Sequence, residues 1–237
     1  MFNGKMKAIT FSFDDGVTQD RRLIKLLDKY GLKATFNLNS GRLAEDGRQF
    51  VQGRSVPHVR WNPSEVAEVY KGHEVAGHTL THKWLPGITN GDVLEQVERD
   101  RENLKALVGY DIVGMAYPCG GQNWDERVVN LLKTETNLQY ARSITCTYSF
   151  DLQEELLRFD PTVHFCDWDR LFELGKTFVE MKPDRPQLFY IWGHSYELDY
   201  EFGAYADRWA KFEEFCAYIS GREDIFYGTN KDVFLGE

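Results

Sequence analysis

No stretch of the chain approaches the ~18 consecutive apolar residues that a membrane-spanning helix needs. The opening residues, Met1-Phe2-Asn3-Gly4-Lys5-Met6-Lys7, hold no apolar segment of the secretory kind, so as written the chain is expected to be cytoplasmic. Basic charge is scarce: 28 Lys and Arg stand against 37 Asp and Glu, a formal net charge of −9. That balance argues against nucleic acid and anionic membrane as partners, because both require a basic footprint. There are four cysteines and no C-x-x-C pair, so Cys119, Cys146, Cys166 and Cys216 read as free thiols of a reducing compartment. Internal repeats, low-complexity tracts and an identifiable linker are absent too. The 237 residues are therefore expected to form one domain, long enough for a full core. Oligomeric state is not legible.

What is abundant is aromatic surface, at 14 % of residues. Most of it suits a core, and some Trp and Tyr could line a sugar-binding cleft, since rings stack on the apolar faces of sugars. The organising stretch is Thr10-Phe11-Ser12-Phe13-Asp14-Asp15-Gly16, two adjacent carboxylates at the end of a strand-like run. Side-by-side acids are costly when partly buried unless a positive group holds them. A metal ion is the usual answer. His78-Thr79-Leu80-Thr81-His82 supplies two imidazoles at a spacing that lets both point one way from a helical turn. One Asp and two His leave open coordination positions, as a catalytic site requires. Taken alone, an H-x-x-x-H is often only a surface helix turn. The same ligand set also suits Fe(II) redox chemistry.

Along the chain, strands are expected at Lys7–Phe13, Lys33–Leu38, Glu74–His78, Ile112–Tyr117, Leu138–Ser143, Leu157–Phe165 (interrupted by Pro161), Pro186–His194 and Ile225–Tyr227. Helices fall between them: one after a Thr18 cap, then from Asn62 to about Lys71, Gly91 to Val108, Trp124 to Thr134, Asp169 to Met181 and Gly203 to Ile219. Residues 40–62 read as one long connecting loop. Its His58, Arg60 and Trp61 read more simply as loop packing than as substrate contacts. Alternating strands and helices predict an α/β fold with a parallel sheet, and the motif residues all follow strands. In a parallel barrel that places them on the C-terminal rim, where active sites are built.

Phe11-Ser12-Phe13-Asp14-Asp15-Gly16 resembles the first motif of the polysaccharide deacetylases, the NodB-homology enzymes of carbohydrate esterase family 4. His78-Thr79-Leu80-Thr81-His82 resembles their second. Ala116-Tyr117-Pro118-Cys119-Gly120 is similar to a variant of their third, and Trp192-Gly193-His194-Ser195 falls where their late histidine falls. The resemblance runs from about Lys7 to Phe234. It implies a distorted (β/α) barrel of about seven parallel strands.

The resemblance further implies that Asp15, His78 and His82 hold one divalent metal. Zinc is the expected ion, and cobalt, nickel or manganese would fit the same donors. Asp14 becomes the general base and His194 the general acid, with metal-bound water as nucleophile. The substrate would be an N-acetylated sugar or oligosaccharide. Other C–N bonds and O-acetyl esters stay open as alternatives, as does a binding relative without activity. Tyr117, Pro118, Cys119 and Trp192 are expected to shape the acyl pocket, with a main-chain N–H near Cys119 on the oxyanion. Cys119 as a nucleophile finds no Cys-His-Asn arrangement to support it. The family arginine that stands two residues before the proline is replaced here by Ala116, and Arg142 is the candidate to pair Asp14 instead. For the acid that tunes His194, Asp167 or Asp169 is the nearest match, with Asp160 also available.

Overall fold

The computed structural model describes residues 2–200 and 207–236. Ten strands and seven α-helices follow in chain order: β1 (Lys7–Asp14), α1 (Asp20–Lys29), β2 (Ala34–Leu38), β3 (Arg48–Val51), β4 (Arg54–Pro57), α2 (Pro63–Val69), β5 (Glu74–Gly77), α3 (Asn90–Val108), β6 (Gly114–Ala116), α4 (Glu126–Glu135), β7 (Tyr140–Arg142), β8 (Val163–His164), α5 (Trp168–Glu180), β9 (Gln187–Gly193), α6 (Arg208–Ile219), β10 (Ile225–Tyr227) and α7 (Asn230–Leu235). The first part of the helix expected from Gly203 lies outside the described residues.

Seven strands run parallel in the order β7-β6-β5-β2-β1-β9-β8, and β10 pairs beside them with the start of β1. Phe159 bridges Arg142 of β7, while Val163 and His164 pair with Ile191 and Trp192 of β9. One segment, kinked at Pro161, thus spans the gap between the two ends of the sheet and distorts the barrel it closes. Proline explains the kink, having no N–H to give to a ladder.

All eight residues of β1 are buried, because this strand is covered on both faces. Alternation then divides its side chains. Ile9, Phe11 and Phe13 join an apolar cluster with Leu23 and Leu27 of α1 and Phe212 and Phe215 of α6. Thr10, Ser12 and Asp14 point the other way. Thr10 donates to Asn230 Oδ1 at 2.9 Å, and Ser12 accepts from Arg142 across the barrel at 3.1 Å. The apolar core therefore lies between barrel and helices, and the barrel interior is polar.

Two local expectations change. The loop expected over residues 40–62 contains the antiparallel hairpin β3–β4, closed by Gln52 (φ 50) and Gly53 (φ 76). Two consecutive left-handed residues make the tight turn that matches strand twist. Thr18 does not cap α1, which begins at Asp20. The main chain around Thr18 is tied instead to the far end of that hairpin: its N–H donates to Val59 O at 2.8 Å.

Candidate active site

The C-terminal ends of the barrel strands surround a cleft of about 450 Å³ lined by Asp14, Asp15, His58, Arg60, His78 and His82, with Cys119, Trp192 and His194 opposite. Asp14 is the last residue of β1. Its Oδ1 accepts from Asn37 Nδ2 at 2.8 Å and from Arg142 Nη2 at 2.6 Å, and Arg142 Nη2 also lies 2.5 Å from Oδ2. Arg142 itself is fully buried, donates to Ser143 O at 2.9 Å, and stacks its guanidinium 4.6 Å from the Trp192 ring centre. Burial alone would raise the Asp14 carboxyl. The Arg142 cation, with His78 and His194 behind it, outweighs burial and holds Asp14 below the usual carboxylate range.

Asp15 turns away from the strand in the left-handed region (φ 80), followed by Gly16 (φ 64). A Cβ on Gly16 would meet Leu38 Cγ at 2.9 Å, so this sharp exit needs glycine. Asp15 Oδ2 lies 3.1 Å from His58 Nε2, and its Oδ1 lies 3.7 Å from His82 Nε2 and 3.6 Å from Arg60 Nη2. Burial pushes this carboxyl up, but His58 and the three histidines of the cleft hold it far below the ordinary value.

His78 follows β5. Its Nδ1–H donates to Ala116 O at 2.8 Å, which leaves Nε2 directed into the cleft 4.0 Å from Asp14 Oδ2. Its backbone N–H donates to Leu38 O at 2.9 Å and to Asp100 Oδ2 at 3.0 Å. The helical turn expected over 78–82 is absent. Thr79 (φ 63) and His82 (φ 61) are both left-handed, and these two residues, not a helix, bring the imidazoles together at 4.9 Å between ring centres. A β-branched residue in that region is strained. Asn39 holds the bend, with Nδ2 donating to the carbonyls of His78 and Thr79. Burial pushes His82 down to about 4, and the neighbouring His78 adds to the shift.

Asp15, His78 and His82 offer one donor atom each, all within 4.8 Å of one another. The buried Asp15 Oδ1 has no hydrogen-bond partner among the described residues. An orphaned buried carboxylate oxygen beside two neutral imidazoles fits a divalent cation.

On the far wall, His194 follows β9. Its backbone N–H and Nδ1 both meet Glu197 Oε2, at 2.9 and 3.1 Å, so Nε2 is the ring atom left for the cleft. The same Glu197 oxygen lies 3.2 Å from His164 Nε2. Burial would lower His194, but Glu197, Asp15 and Asp14 raise it to about 9. Glu197 is held well below its ordinary value against burial by His164 and His194.

Several expectations are redirected here. Asp167 and Asp169 are exposed at the start of α5, and Asp160 is bonded to Ser143 Oγ; none contacts His194. The acid at His194 is Glu197, three residues on. His58 and Arg60, read as loop packing, stand against Asp15, and His164, which no motif singled out, stands against Glu197. The hairpin carries the first pair inward. Among the expected pocket residues, Trp192 and Cys119 line the cleft, Cys119 in a left-handed conformation (φ 71) with Sγ 3.8 Å from His82 Nδ1. Tyr117 borders the cleft, but its side chain is fully buried in the apolar cluster with Val93, Val97 and Val128, and its hydroxyl donates to Leu157 O at 2.7 Å. Pro118 is buried and is not among the residues that line the cleft.

The C-terminal rim of this parallel barrel thus brings together acids and histidines, among them three candidate metal donors. Residues 3–140, more than half of the chain, match the polysaccharide deacetylase family model, and the chain belongs to that family. A polysaccharide deacetylase candidate from Mycobacterium smegmatis is similar in fold at 18 % identity and a TM-score of 0.66, covering 98 % of this chain and 90 % of that one. A family 4 carbohydrate esterase from Streptomyces lividans, solved with acetate, is similar at 13 % identity and a TM-score of 0.55, covering 95 % and 92 %. A polysaccharide deacetylase from Bacillus cereus shares 23 % identity over 63 % of this chain, at a TM-score of 0.49, and this chain spans only 44 % of its length. No curated protein sequence matches the chain. No helix among the described residues is long and apolar enough to cross a membrane.

Proposed function

We propose that the protein is a metal-dependent deacetylase that releases acetate from an N-acetylated sugar or short oligosaccharide. The observation that carries the reading is the placement of two opposed proton-handling pairs, Asp14–Arg142 and His194–Glu197, on either side of the Asp15, His78 and His82 donors. Those three residues would hold the ion, expected to be zinc. When bound, it supplies a Lewis acid for the acyl oxygen and makes water a better acid.

The chain's own groups do the rest. Arg142 keeps Asp14 ionised and fixes its plane, so a proton can be accepted at Oδ2, the oxygen nearer His78. Two donors also make Asp14 a weak base, which suits a water already acidified. His194 holds a proton at Nε2 because Glu197 fixes Nδ1–H and supplies the compensating charge. That proton goes to the departing nitrogen, which leaves as an amine. Trp192, held over the Arg142 guanidinium, excludes water around a small acyl group, and the family resemblance points to the sugar.

The test is acetate release from N-acetylglucosamine and short chitin oligomers, using chelated protein with zinc or cobalt restored. Metal-dependent acetate that disappears in Asp14→Asn is the expected result. One metal bound per chain with no acetate from any acetylated sugar would overturn the substrate assignment and turn attention to other amides and O-acetyl esters.

A further inference from the structure

Beyond the cleft lies a second group of metal donors. His164 ends β8 and Cys166 lies two residues later in a tight turn, closed by the Asp167 N–H donating to His164 O at 3.0 Å, while Phe165 turns into the core. Pairing continues past β8, with Phe165 N–H donating to Trp192 O at 2.9 Å, and this brings the turn after β9, with Glu197, alongside. His164, Cys166 and Glu197 each offer one donor atom, all within 4.8 Å of one another.

We propose that His164, Cys166 and Glu197 form a second, weaker site for zinc or cobalt, and that filling it switches the enzyme off by taking Glu197 away from His194. The switching half rests on the deacetylase reading above; the site itself does not.

The donor set is one nitrogen, one sulfur and one oxygen, the mixture zinc takes. Donors at ordinary Zn–N and Zn–O lengths around a tetrahedral ion stand roughly 3.3 Å apart. His164 Nε2 and Glu197 Oε2 are already 3.2 Å apart. The His164 tautomer is set from behind: the backbone N–H of Cys166 donates to Nδ1 at 3.2 Å, so the proton sits on Nε2 and faces Glu197. For Nε2 to bind an ion, the ring proton moves to Nδ1 and the Cys166 N–H contact is given up, and the ion then stands between the same two atoms. Water can reach the group, since the His164 and Glu197 side chains are 22 % and 16 % exposed.

Arg208 is the reason the site is the weaker one. Its Nη1 lies 3.6 Å from Cys166 Sγ and 3.3 Å from Glu197 O. Burial and the Glu197 charge push the Cys166 thiol well up, the Arg208 guanidinium offsets only part of that, and the same guanidinium repels an arriving cation. The first site carries the orphaned Asp15 oxygen and fills first. Glu197 Oε2 cannot serve His194 and a cation equally, so an ion on it loosens the His194 Nδ1 contact.

The experiment titrates the full chain with cobalt past one equivalent and follows bound metal, the near-ultraviolet sulfur-to-cobalt charge-transfer band, and acetate release. Wild type is expected to bind a second equivalent with a band of thiolate ligation and to lose at least tenfold in activity at that step. Cys166→Ser should keep the first equivalent and its basal activity, and lose the second equivalent, the band and the inhibition together. Cys119→Ser controls for the thiol beside His82 and should keep the band. With zinc, the downfield Nδ1–H proton resonance of His194 should vanish at the second equivalent in wild type and persist in Cys166→Ser. Binding of a single equivalent by wild type, or a band that survives in Cys166→Ser, overturns the site. A second equivalent that leaves the His194 resonance in place overturns the switch. If no acetate appears with any metal load, the deacetylase reading fails, while the band and the resonance still decide this proposal.

Discussion

Asp14 and Asp15 at the mouth of the barrel, and Asp20, Asp100 and Glu74 away from it, are all buried carboxyls, yet they are displaced in opposite directions. The two at the mouth face cations or potential cations, Arg142 for one and His58 with the cleft histidines for the other, and both sit below the ordinary range. The three elsewhere are held by neutral donors. Asp20 accepts from Ser195 Oγ and Tyr70 OH, Asp100 from the N–H groups of Ser40 and His78, and Glu74 from Thr35 Oγ1 and Tyr140 OH. Burial then wins, and Asp20 and Asp100 rise to about 7, with Glu74 raised as well. In this protein the neutral hydrogen bonds pull the three buried carboxyls down by less than burial raises them, whereas the cationic neighbours at the mouth outweigh burial. The mouth is built for charged acids and its supports for hydrogen-bonded ones.

The hardest way to break this difference is to remove Arg142. In Arg142→Met the Asp14 carboxyl would join the raised group. Activity should fall ~10²–10⁴-fold, the usual weight of a positioned acid or base. Stability should fall by about 3–5 kcal/mol, because a buried charge loses its partner. Steady-state kinetics and denaturant melts of the same variant measure both. Unchanged kcat/KM would mean that Asp14 does not act as an ionised base.

Removing the charge on the opposite wall should cost less. Glu197→Gln keeps a hydrogen-bond acceptor at His194 Nδ1 and deletes the anion. His194 holds its proton up to about 9 because Glu197 outweighs burial, so activity that needs this proton is kept below that pH and lost above it. Without the carboxylate the basic limb of the pH–rate profile should move acidward by about 1–2 units, the effect of one nearby opposite charge. The loss near neutrality should be on the order of 10²-fold. A profile with its basic limb in place would assign that limb to another group.

How much of this was legible depended on whether a residue's neighbours are close in sequence or in space. β1 and β9 were readable because an all-buried strand is a plain apolar run, and the Asp14-Asp15 pair marked the end of one of them. The pairing of Arg142 with Asp14 was approachable only because Ala116 stands where an arginine was missing. Glu197 carried a local signal that went unused: His194-x-x-Glu197 is a capping box, with the acid reaching back to the His194 N–H. Thr229-x-x-Asp232 at α7 is another such box, and no helix was expected there. His58 and Arg60 had no such signal. They reach Asp15 because the hairpin folds back, and nothing in a loop's composition states where its tip lands. The His78–His82 bend was misread as helical because spacing alone cannot distinguish a helical turn from a loop held by Asn39.

The smallest expected effect is also the cleanest test of the neutral half of the comparison. Asp20 is fully buried, and its two partners are hydroxyls, which can reverse and accept as readily as they donate. A protonated Asp20 is therefore as well bonded as an ionised one, which an acid held by backbone N–H groups, like Asp100, is not. With the folded group titrating at about 7 and the unfolded one at 3.8, the folded state binds the extra proton between those values. Stability contributed by Asp20 is thus greatest on the acid side and is lost as pH rises through that window. One unit is worth about 1.4 kcal/mol, so the change has a ceiling on the order of 4 kcal/mol. Asp20→Asn cannot titrate. Relative to it, wild type should gain stability as pH is lowered from about 8 to about 4, while activity of the variant stays within a few-fold. Parallel stability curves for the two proteins would show that Asp20 is ionised in the folded state, and that a buried carboxyl here does not need a cation to keep its charge.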